Sequence, residues 1–331
     1  MNSVIILAVI IVALAVIFDF INGFHDTANA IATVVSTRVL SPRAAIIMAA
    51  GLNVVGALVS AGVAEAIAKG IVRPEVVSLP VILGGLVGAI VWNLFTWYYG
   101  IPSSSSHALV GGFAGAAIAG AGLGAIQLAG FKKILLSFFL SPFAGVVIGF
   151  LVMSLLNLLL RNWTRSMVTK VFGKLQILSA AAMAYSHGGN DAQKSMGIIA
   201  ITLYTAHLIP ELHVPAWTKL IAAVAMGLGT SMGGWRIIKT MGHKMVKLEP
   251  VHGFAAEAAG AIVIETATHL AMPVSTTHVI SSTILSVGLT RGPKAVNWTV
   301  IKNIVLAMLF TIPASGLVGA GCYWLVHLIV R

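Results

Sequence analysis

The sequence predicts an all-α polytopic membrane protein, with about 10–12 transmembrane or half-membrane helices arranged as two inverted repeats. Three observations predict this class. Of the 331 residues, 58% are hydrophobic and only 9% are charged, against about 25% charged in soluble domains, and the mean hydropathy is +0.99. Apolar runs of about 20 residues, each long enough to cross a hydrocarbon core of roughly 30 Å, recur along the whole chain. Two short polar motifs each occur twice, in the same order.

The apolar runs follow one another with only short polar connections, so no soluble domain is expected between them. The first run has no basic residue before it and leads into Asp19 rather than a small-residue cleavage site, and we expect it to be retained as a helix. The predicted membrane segments are 4–21, 44–64, 81–99, 107–129, 134–160, 175–187 continuing to 205, 217–235, 252–271, 275–289 and 301–330.

The formal net charge of +11 is explained by membrane topology, because the basic residues lie between the apolar runs. The strongest basic clusters, at 161–174 and 236–247, are expected on the cytoplasmic side. No nucleic-acid partner is therefore predicted, and the lipid of a plasma membrane, such as the bacterial inner membrane, is the expected surrounding. The single cysteine, Cys322, lies in the last apolar run and allows neither a disulfide nor a thiolate metal site.

Comparison of the chain with itself reveals an internal duplication. A Gly-x-x-Asp motif lies within 22–30 and again within 187–195. A Pro followed by hydroxyl residues and a His lies at 102–107 and again at 273–278. The Asp and His are separated by 81 residues in the first half and 87 in the second. The halves are therefore predicted to be structural repeats.

The predicted boundaries of the repeats are 1–160 and 161–331. Four apolar segments lie between the first helix and its counterpart near 175–187. From the start of the first helix to the start of its counterpart, the chain is therefore expected to cross the membrane an odd number of times. This parity predicts an inverted repeat. Inverted repeats with interrupted helices at corresponding positions are how many secondary transporters build a midplane site with alternating access.

Three acidic side chains are predicted to serve the coupling ion. A carboxylate at membrane depth costs roughly 2.5–3.5 kcal/mol on insertion scales and is retained mainly where it lines a site or a path. Asp26 and Asp191 each lie in a stretch rich in Gly and Asn, where we expect a break in the helix that frees backbone groups for coordination. Glu257 has small neighbours that allow helices to approach closely, and it is a second coupling candidate.

The Pro-hydroxyl-His motifs precede apolar helices, which places their hydroxyls at N-caps and first turns. Unpaired backbone N–H groups make such a helix start an anion site, and hydroxyls with N–H donors suit a tetrahedral oxyanion. In an inverted repeat the two starts converge on one ligand. The duplicated Ser-His pairing argues against a nucleophile and base, so no enzyme activity is predicted. The predicted substrate-binding hydroxyls are Ser104, Ser105, Ser275, Thr276 and Thr277.

An ionised oxyanion beside Asp26 and Asp191 would be repelled, so a proton, Na⁺, a divalent metal or a lysine must accompany it. Aligning the two Asp motifs puts Asn29 opposite Lys194. An ammonium repels a cation that an amide oxygen could coordinate, so Lys194 is expected to be a fixed countercharge and sodium is disfavoured there. Asn29 and Asn190 are predicted to complete the site. His25 and His187 are candidate proton-coupling groups, and together with the two Asp residues they lack the fixed spacing of a zinc site.

At these motifs the sequence resembles the inorganic phosphate transporter family of secondary carriers, over essentially the whole chain and both repeats. The resemblance implies a phosphate symporter with an inverted-repeat fold. Sodium-coupled members typically read Gly-Ala/Gly-Asn-Asp-Val-Ala/Ser-Asn in both repeats, whereas this chain has His25 before Asp26 and Gln193-Lys194 in the second copy. Asn53 also stands where sodium-coupled relatives tend to carry Glu. These departures look like the bacterial low-affinity branch, which implies proton coupling and transport of phosphate as a complex with a divalent metal such as Mg²⁺.

Several alternatives stay open from the sequence. They are a sodium-coupled phosphate symporter, a carrier of another tetrahedral oxyanion such as sulfate or arsenate, an ion channel, and an intramembrane hydrolase. The duplicated half-sites favour alternating access over a channel. No cofactor is expected besides the coupling proton or Na⁺ and Mg²⁺ carried with phosphate, no metal site of the protein's own is predicted, and a homodimer is an expectation only.

Overall fold

The computed structural model describes residues 2–59, 62–73 and 76–330, which fold almost entirely as helices. Two isolated bridges, Val72 to Ile126 and Val246 to Val296, are the only β-type pairings in these residues. The predicted all-helical membrane class is confirmed. The α-helices are α1 (Asn2–Ser36), α2 (Pro42–Val59), α3 (Gly62–Gly70), α4 (Leu79–Tyr99), α5 (Ser105–Ala121), α6 (Leu128–Leu159), α7 (Arg165–Asp191), α8 (Gln193–Thr205), α9 (Ala216–Met232), α10 (Trp235–Lys239), α11 (Pro250–His269), α12 (Thr276–Leu289) and α13 (Trp298–Val330).

Five of these helices, α1, α2, α4, α6 and α13, are long and apolar enough to cross a membrane. A sixth span results if α9 is counted with the helix that follows it from Trp235 to Lys244, at a bend of 61°. Helices α7 and α11, with 27 and 20 residues, are long enough but less apolar. Others are shorter, including α12, whose start and that of α5 lie inside the protein. The predicted segments therefore divide into apolar spans, long but less apolar helices, and shorter pieces.

The predicted helix break at the first Asp motif is wrong, because α1 runs without interruption through Asp26. The second motif ends a helix, with Ala192 alone between α7 and α8. The glycines of the motifs serve close packing instead. A Cβ on Gly23 would collide with the backbone of α9, and a Cβ on Gly188 would collide with the backbone of α2 at Asn53.

Helices of the two halves exchange contacts. Helix α1 packs against α9 while α7 packs against α2, and α5 packs against α13 while α12 packs against α6. Helices α13 and α6, which pack against α5 and α12, each contain an internal proline. Each half thus packs against the other rather than forming an independent unit. This exchange is what two intertwined repeats would give, and their inversion in the membrane stays a prediction.

The starts of α5 and α12 meet in the interior of the molecule. Residues 103–107 and 274–278 are all buried, and the rings of His107 and His278 lie 4.5 Å apart between their centroids. Pro102 and Pro273 precede these starts, where a proline disfavours extension of the helix in the N-terminal direction. The start of α5 contacts the middle of α1 through Ser105 and Asp26, and the start of α12 contacts the end of α7 through Thr276 and Asp191.

Candidate functional site

A group of polar side chains lies at the junction of α1, α5, α7, α8 and α12, and we refer to it as the central cluster. Each member is at most 2% exposed. Polar groups at such depth normally have partners, and these bond chiefly to one another. The members are Asp26, Asn29, Ser105, Asp191, Lys194, Thr276 and Thr277.

The Asp26 carboxylate receives hydroxyl donors from both Pro-hydroxyl-His motifs. Ser105 Oγ donates to Oδ2 at 2.8 Å, and Thr277 Oγ1 donates to Oδ1 at 3.4 Å. His25 Nδ1 lies 2.6 Å from Oδ1. A titratable pair is therefore in direct contact with a hydroxyl from each half of the chain.

His25 is held on its other side by two more hydroxyls. Its Nε2 lies 3.0 Å from Thr96 Oγ1 and 3.3 Å from Ser103 Oγ, and Ser103 donates to Thr96 at 2.8 Å. Both ring nitrogens thus have polar neighbours, which fixes the ring against Asp26. Thr96 and Ser103 were not predicted, although Ser103 belongs to the Pro-hydroxyl-His motif and could have been included on that ground.

Lys194 is one of the largest fully buried side chains in the described residues. Its Nζ lies 2.8 Å from Asp191 Oδ2 and donates to Ser105 Oγ at 3.4 Å. Thr276 Oγ1 donates to the same Asp191 oxygen at 3.3 Å. The ammonium therefore occupies the space next to Asp191 that a cation would need.

Asn29 makes the matching contact in the other half. Its Nδ2 donates to Thr276 Oγ1 at 3.2 Å and to Thr277 Oγ1 at 3.0 Å. Asn29 and Lys194 are each three residues after their Asp, and each contacts hydroxyls of the opposite half. The alignment of the two motifs thus corresponds to equivalent positions in space.

The predicted N-caps are present at both helix starts. Ser104 Oγ accepts the backbone N–H of His107 at 3.2 Å, and Ser275 Oγ accepts that of His278 at 3.2 Å. Ser104 Oγ also lies 2.8 Å from His107 Nδ1. These two hydroxyls therefore bond within their own motifs and hold the helix starts in place, while Ser105, Thr276 and Thr277 contact the acidic groups.

Two further predicted residues, Asn190 and Glu257, also lie outside the central cluster. Asn190 Nδ2 donates to Thr268 Oγ1 at 2.8 Å, and its Oδ1 has no partner in the described residues. Glu257 accepts from Thr33, from Ser179 Oγ at 2.5 Å and from Gln176 Nε2 at 3.2 Å. Glu257 thus forms a separate buried site with its own set of donors.

His187 lies beside the central cluster, with Nε2 3.7 Å from Asp191 Oδ2. Its Nδ1 lies 3.1 Å from Oδ1 of Asn53, an unpredicted contact. Asp26, His187 and Asp191 each offer one ligand atom within 4.8 Å of the others, so three of the four residues considered for a metal do come together. We assign no metal to them, because the Lys194 ammonium next to Asp191 would repel it.

Comparison with known proteins identifies the chain. A profile of the phosphate transporter family matches residues 22–319, which include every motif described above. The chain belongs to the phosphate transporter family. The predicted membership is confirmed, and so is the absence of an enzyme function, because the family and the relatives are transporters. The chain is a multi-pass plasma-membrane protein of this family.

Two relatives and one solved structure are similar over nearly their whole lengths. A Bacillus subtilis protein named probable low-affinity inorganic phosphate transporter is 50% identical over 332 residues, covering 99% of this chain and 100% of the relative. A Rhizobium meliloti protein of the same name is 46% identical over 321 residues, 96% of each. A structure titled "The sodium-dependent phosphate transporter" superposes with a TM-score of 0.90 at 26% identity, covering 98% of this chain and 99% of that one.

Proposed function

We propose that this chain is a secondary active symporter that carries inorganic phosphate with protons by alternating access between its two repeats, 1–160 and 161–331. The single observation that carries the proposal is the Ser105 hydroxyl bound to Asp26 at 2.8 Å, while Asp26 lies 2.6 Å from His25. Hydroxyls that could bind phosphate are therefore held by a group that can take up a proton.

The coupling follows from competition for these donors. An ionised Asp26 engages the hydroxyls of Ser105 and Thr277, and it repels a phosphate anion. Protonation of Asp26, with His25 as the adjoining proton carrier, removes the negative charge and frees both hydroxyls for phosphate oxygens. Phosphate then binds well only when a proton is bound, which is the condition for symport.

Phosphate would be held between the two helix starts. Ser105, Thr276 and Thr277 supply hydroxyls, Asn29 supplies an amide donor, and Lys194 supplies a positive charge that favours an anion at this depth. Ser104 and Ser275 position the starts by capping them. Accompanying Mg²⁺ would reduce the charge that enters the protein, so transport of a metal-phosphate complex is part of the proposal.

Protons are favoured over sodium by Lys194, since its ammonium lies 2.8 Å from Asp191. The solved relative is titled sodium-dependent, and this makes sodium coupling the second candidate. Sodium would have to bind near Asp26 and His187, away from the ammonium.

The experiment is ³²P-phosphate uptake into proteoliposomes of the purified protein under an imposed proton gradient or sodium gradient, each with and without Mg²⁺. We expect uptake driven by protons and increased by Mg²⁺. Uptake that requires sodium would contradict proton coupling while keeping the phosphate site. Absence of phosphate uptake under every gradient would contradict the proposal, and direct uptake of labelled sulfate or arsenate would then identify another oxyanion.

A further inference from the structure

A stripe of polar side chains runs along one face of α1. The members follow one another at intervals of three and four residues, which keeps them on the same side of an α-helix. With a rise of about 1.5 Å per residue, the stripe extends for about 21 Å, most of the thickness of a hydrocarbon core of roughly 30 Å. All are buried, and they are Asp19, Asn22, Asp26, Asn29 and Thr33.

The function proposed above gives a role to residues in the middle of this stripe and none to those at its N-terminal end. Asp19 is fully buried, and neither of its carboxylate oxygens has a hydrogen-bond partner in the described residues. The same holds for the amide of Asn22 and for the hydroxyl of Ser195 on α8. A buried polar group without a partner costs free energy, and a carboxylate costs far more than a neutral group. Three such side chains in one place therefore indicate a site with a ligand.

The chemistry around Asp19 selects the ligand. Ser195 lies next to it, and the charged side chains that face it are Lys194 and Asp191. Among the other helices packed on this part of α1, α4 carries no ionisable side chain before Tyr98 and α9 none after Lys219. One carboxylate beside an ammonium does not suit a metal ion, which would be repelled by Lys194. A proton needs only one oxygen and gives a neutral acid.

We propose that Asp19 is a second proton-binding group, supported by Ser195 and Asn22, about 10 Å along α1 from Asp26. The inference rests on the proposed proton symport and adds a residue to it. A proton that arrives through water forms the O–H bond on the Asp19 carboxylate, and the same bond breaks when water on the other side accepts the proton. Glu257, which contacts Thr33 at the far end of the stripe, lies on the opposite side of Asp26. The two carboxyls would thus flank the phosphate site along the proton route.

The test is Asp19→Asn, which keeps the shape of the side chain and removes the titration. Uphill phosphate uptake driven by a proton gradient requires the carrier to release its proton on every cycle. Exchange of ³²P-phosphate for unlabelled phosphate across the same membrane requires no net proton release. We expect Asp19→Asn to lose uphill uptake and to retain exchange.

The other outcomes separate failure of this inference from failure of the proposed function. Loss of both activities in Asp19→Asn would overturn the inference, as would wild-type uphill uptake. If the wild-type protein itself shows no proton-driven uptake, the proposed function fails before the variant is considered. Asp26→Asn is the matched control: it fixes the neutral form that leaves the hydroxyls of Ser105 and Thr277 free for phosphate, so it should likewise lose uphill uptake and retain exchange.

Two further measurements apply if Asp19→Asn protein does not accumulate in the membrane. Ser195→Ala removes the hydroxyl next to Asp19, and we expect it to shift the pH profile of uphill uptake while exchange is unchanged. An unchanged profile would contradict the inference. Infrared spectra of the wild type should contain a pH-dependent band of a protonated carboxylic acid that is absent from a folded Asp19 variant, either Asn or Ala.

Discussion

The balance of charge in the central cluster depends on single protons. Two carboxylates, Asp26 and Asp191, face one ammonium, Lys194, and all three side chains are buried. Lys194 contacts Asp191 at 2.8 Å, which leaves Asp26 to be balanced by His25 or by its own protonation. A phosphate anion brought to this cluster adds negative charge. Under the proposed function, binding of phosphate here therefore favours uptake of protons by the Asp26–His25 pair.

Replacing either aspartate by asparagine should abolish coupled uptake and leave membrane insertion intact. Asp26→Asn fixes the neutral form, and Asp191→Asn leaves the Lys194 charge without a partner. Glu65→Gln is the control, since the Glu65 side chain is 59% exposed, lies away from the central cluster and pairs with Lys69 at 3.8 Å. Uptake by purified variants in proteoliposomes checks the prediction. Uptake at the wild-type level in both aspartate variants would remove this mechanism.

Removal of the buried ammonium should destabilise the protein. Breaking a buried ion pair from one side typically costs about 3–5 kcal/mol, because the remaining charge has no partner. We expect Lys194→Gln to lower the thermal unfolding temperature in detergent, and Lys194→Gln with Asp191→Asn to recover most of the loss. An unfolding temperature equal to the wild type in the single variant would show that the pair is not ionised.

The sequence predicted which polar residues matter more reliably than what they contact. Asp26, Asp191 and the hydroxyl motifs were recognisable because polar groups in apolar segments are rare and these are duplicated. The direction of each side chain was not recognisable, because adjacent residues on a helix point about 100° apart. For this reason Asn190 bonds to Thr268 rather than to the cluster beside Asp191, its neighbour in the chain.

At the scale of the elements, glycine decides how closely the helices approach. The continuous course of α1 was missed because its Gly and Asn residues were interpreted as a break. Gly23 instead faces the backbone of α9, and Gly229 of α9 faces the backbone of α1 at Phe20. Close approach of these two helices sets the position of the stripe that carries Asp26.

Substitution of Gly23 by alanine should therefore destabilise the fold. The added Cβ would meet backbone atoms of Met226 and Thr230, which cannot move aside as a side chain would. Overpacking of this kind costs about 1–3 kcal/mol. Gly51→Ala on α2 is the matched control, because nothing lies within 4 Å of its Cβ. Thermal unfolding in detergent should show a lower midpoint for Gly23→Ala and an equal or higher one for Gly51→Ala, and equal losses in both would contradict the packing argument.

At the scale of the whole molecule, the two halves complete each other's sites. Asn29 of the first half bonds to Thr276 and Thr277 of the second, and Lys194 of the second bonds to Ser105 of the first. A movement of one half against the other would change all of these contacts at once. Such coupling between global movement and local contacts is what alternating access requires.

Inversion of the repeats makes a prediction about the loops that follow α5 and α12. The loop at 122–127 pairs with residue 72, and the loop at 292–297 pairs with residue 246, so the two loops are equivalent in the two halves. In an inverted arrangement they lie on opposite sides of the membrane. Lys294 belongs to a basic region and should be cytoplasmic, whereas Leu123, which is 78% exposed, should be external.

Single cysteines at these two positions, in a Cys322→Ser background, separate the two topologies. A membrane-impermeant thiol reagent added to intact cells should label the cysteine at position 123 and should label the one at position 294 only after the cells are opened. Proteins with and without each cysteine must transport phosphate equally for the labelling to apply to the native fold. Labelling of both positions from the same side would mean that the halves are parallel. Inverted repeats could then not explain why each half completes the site of the other.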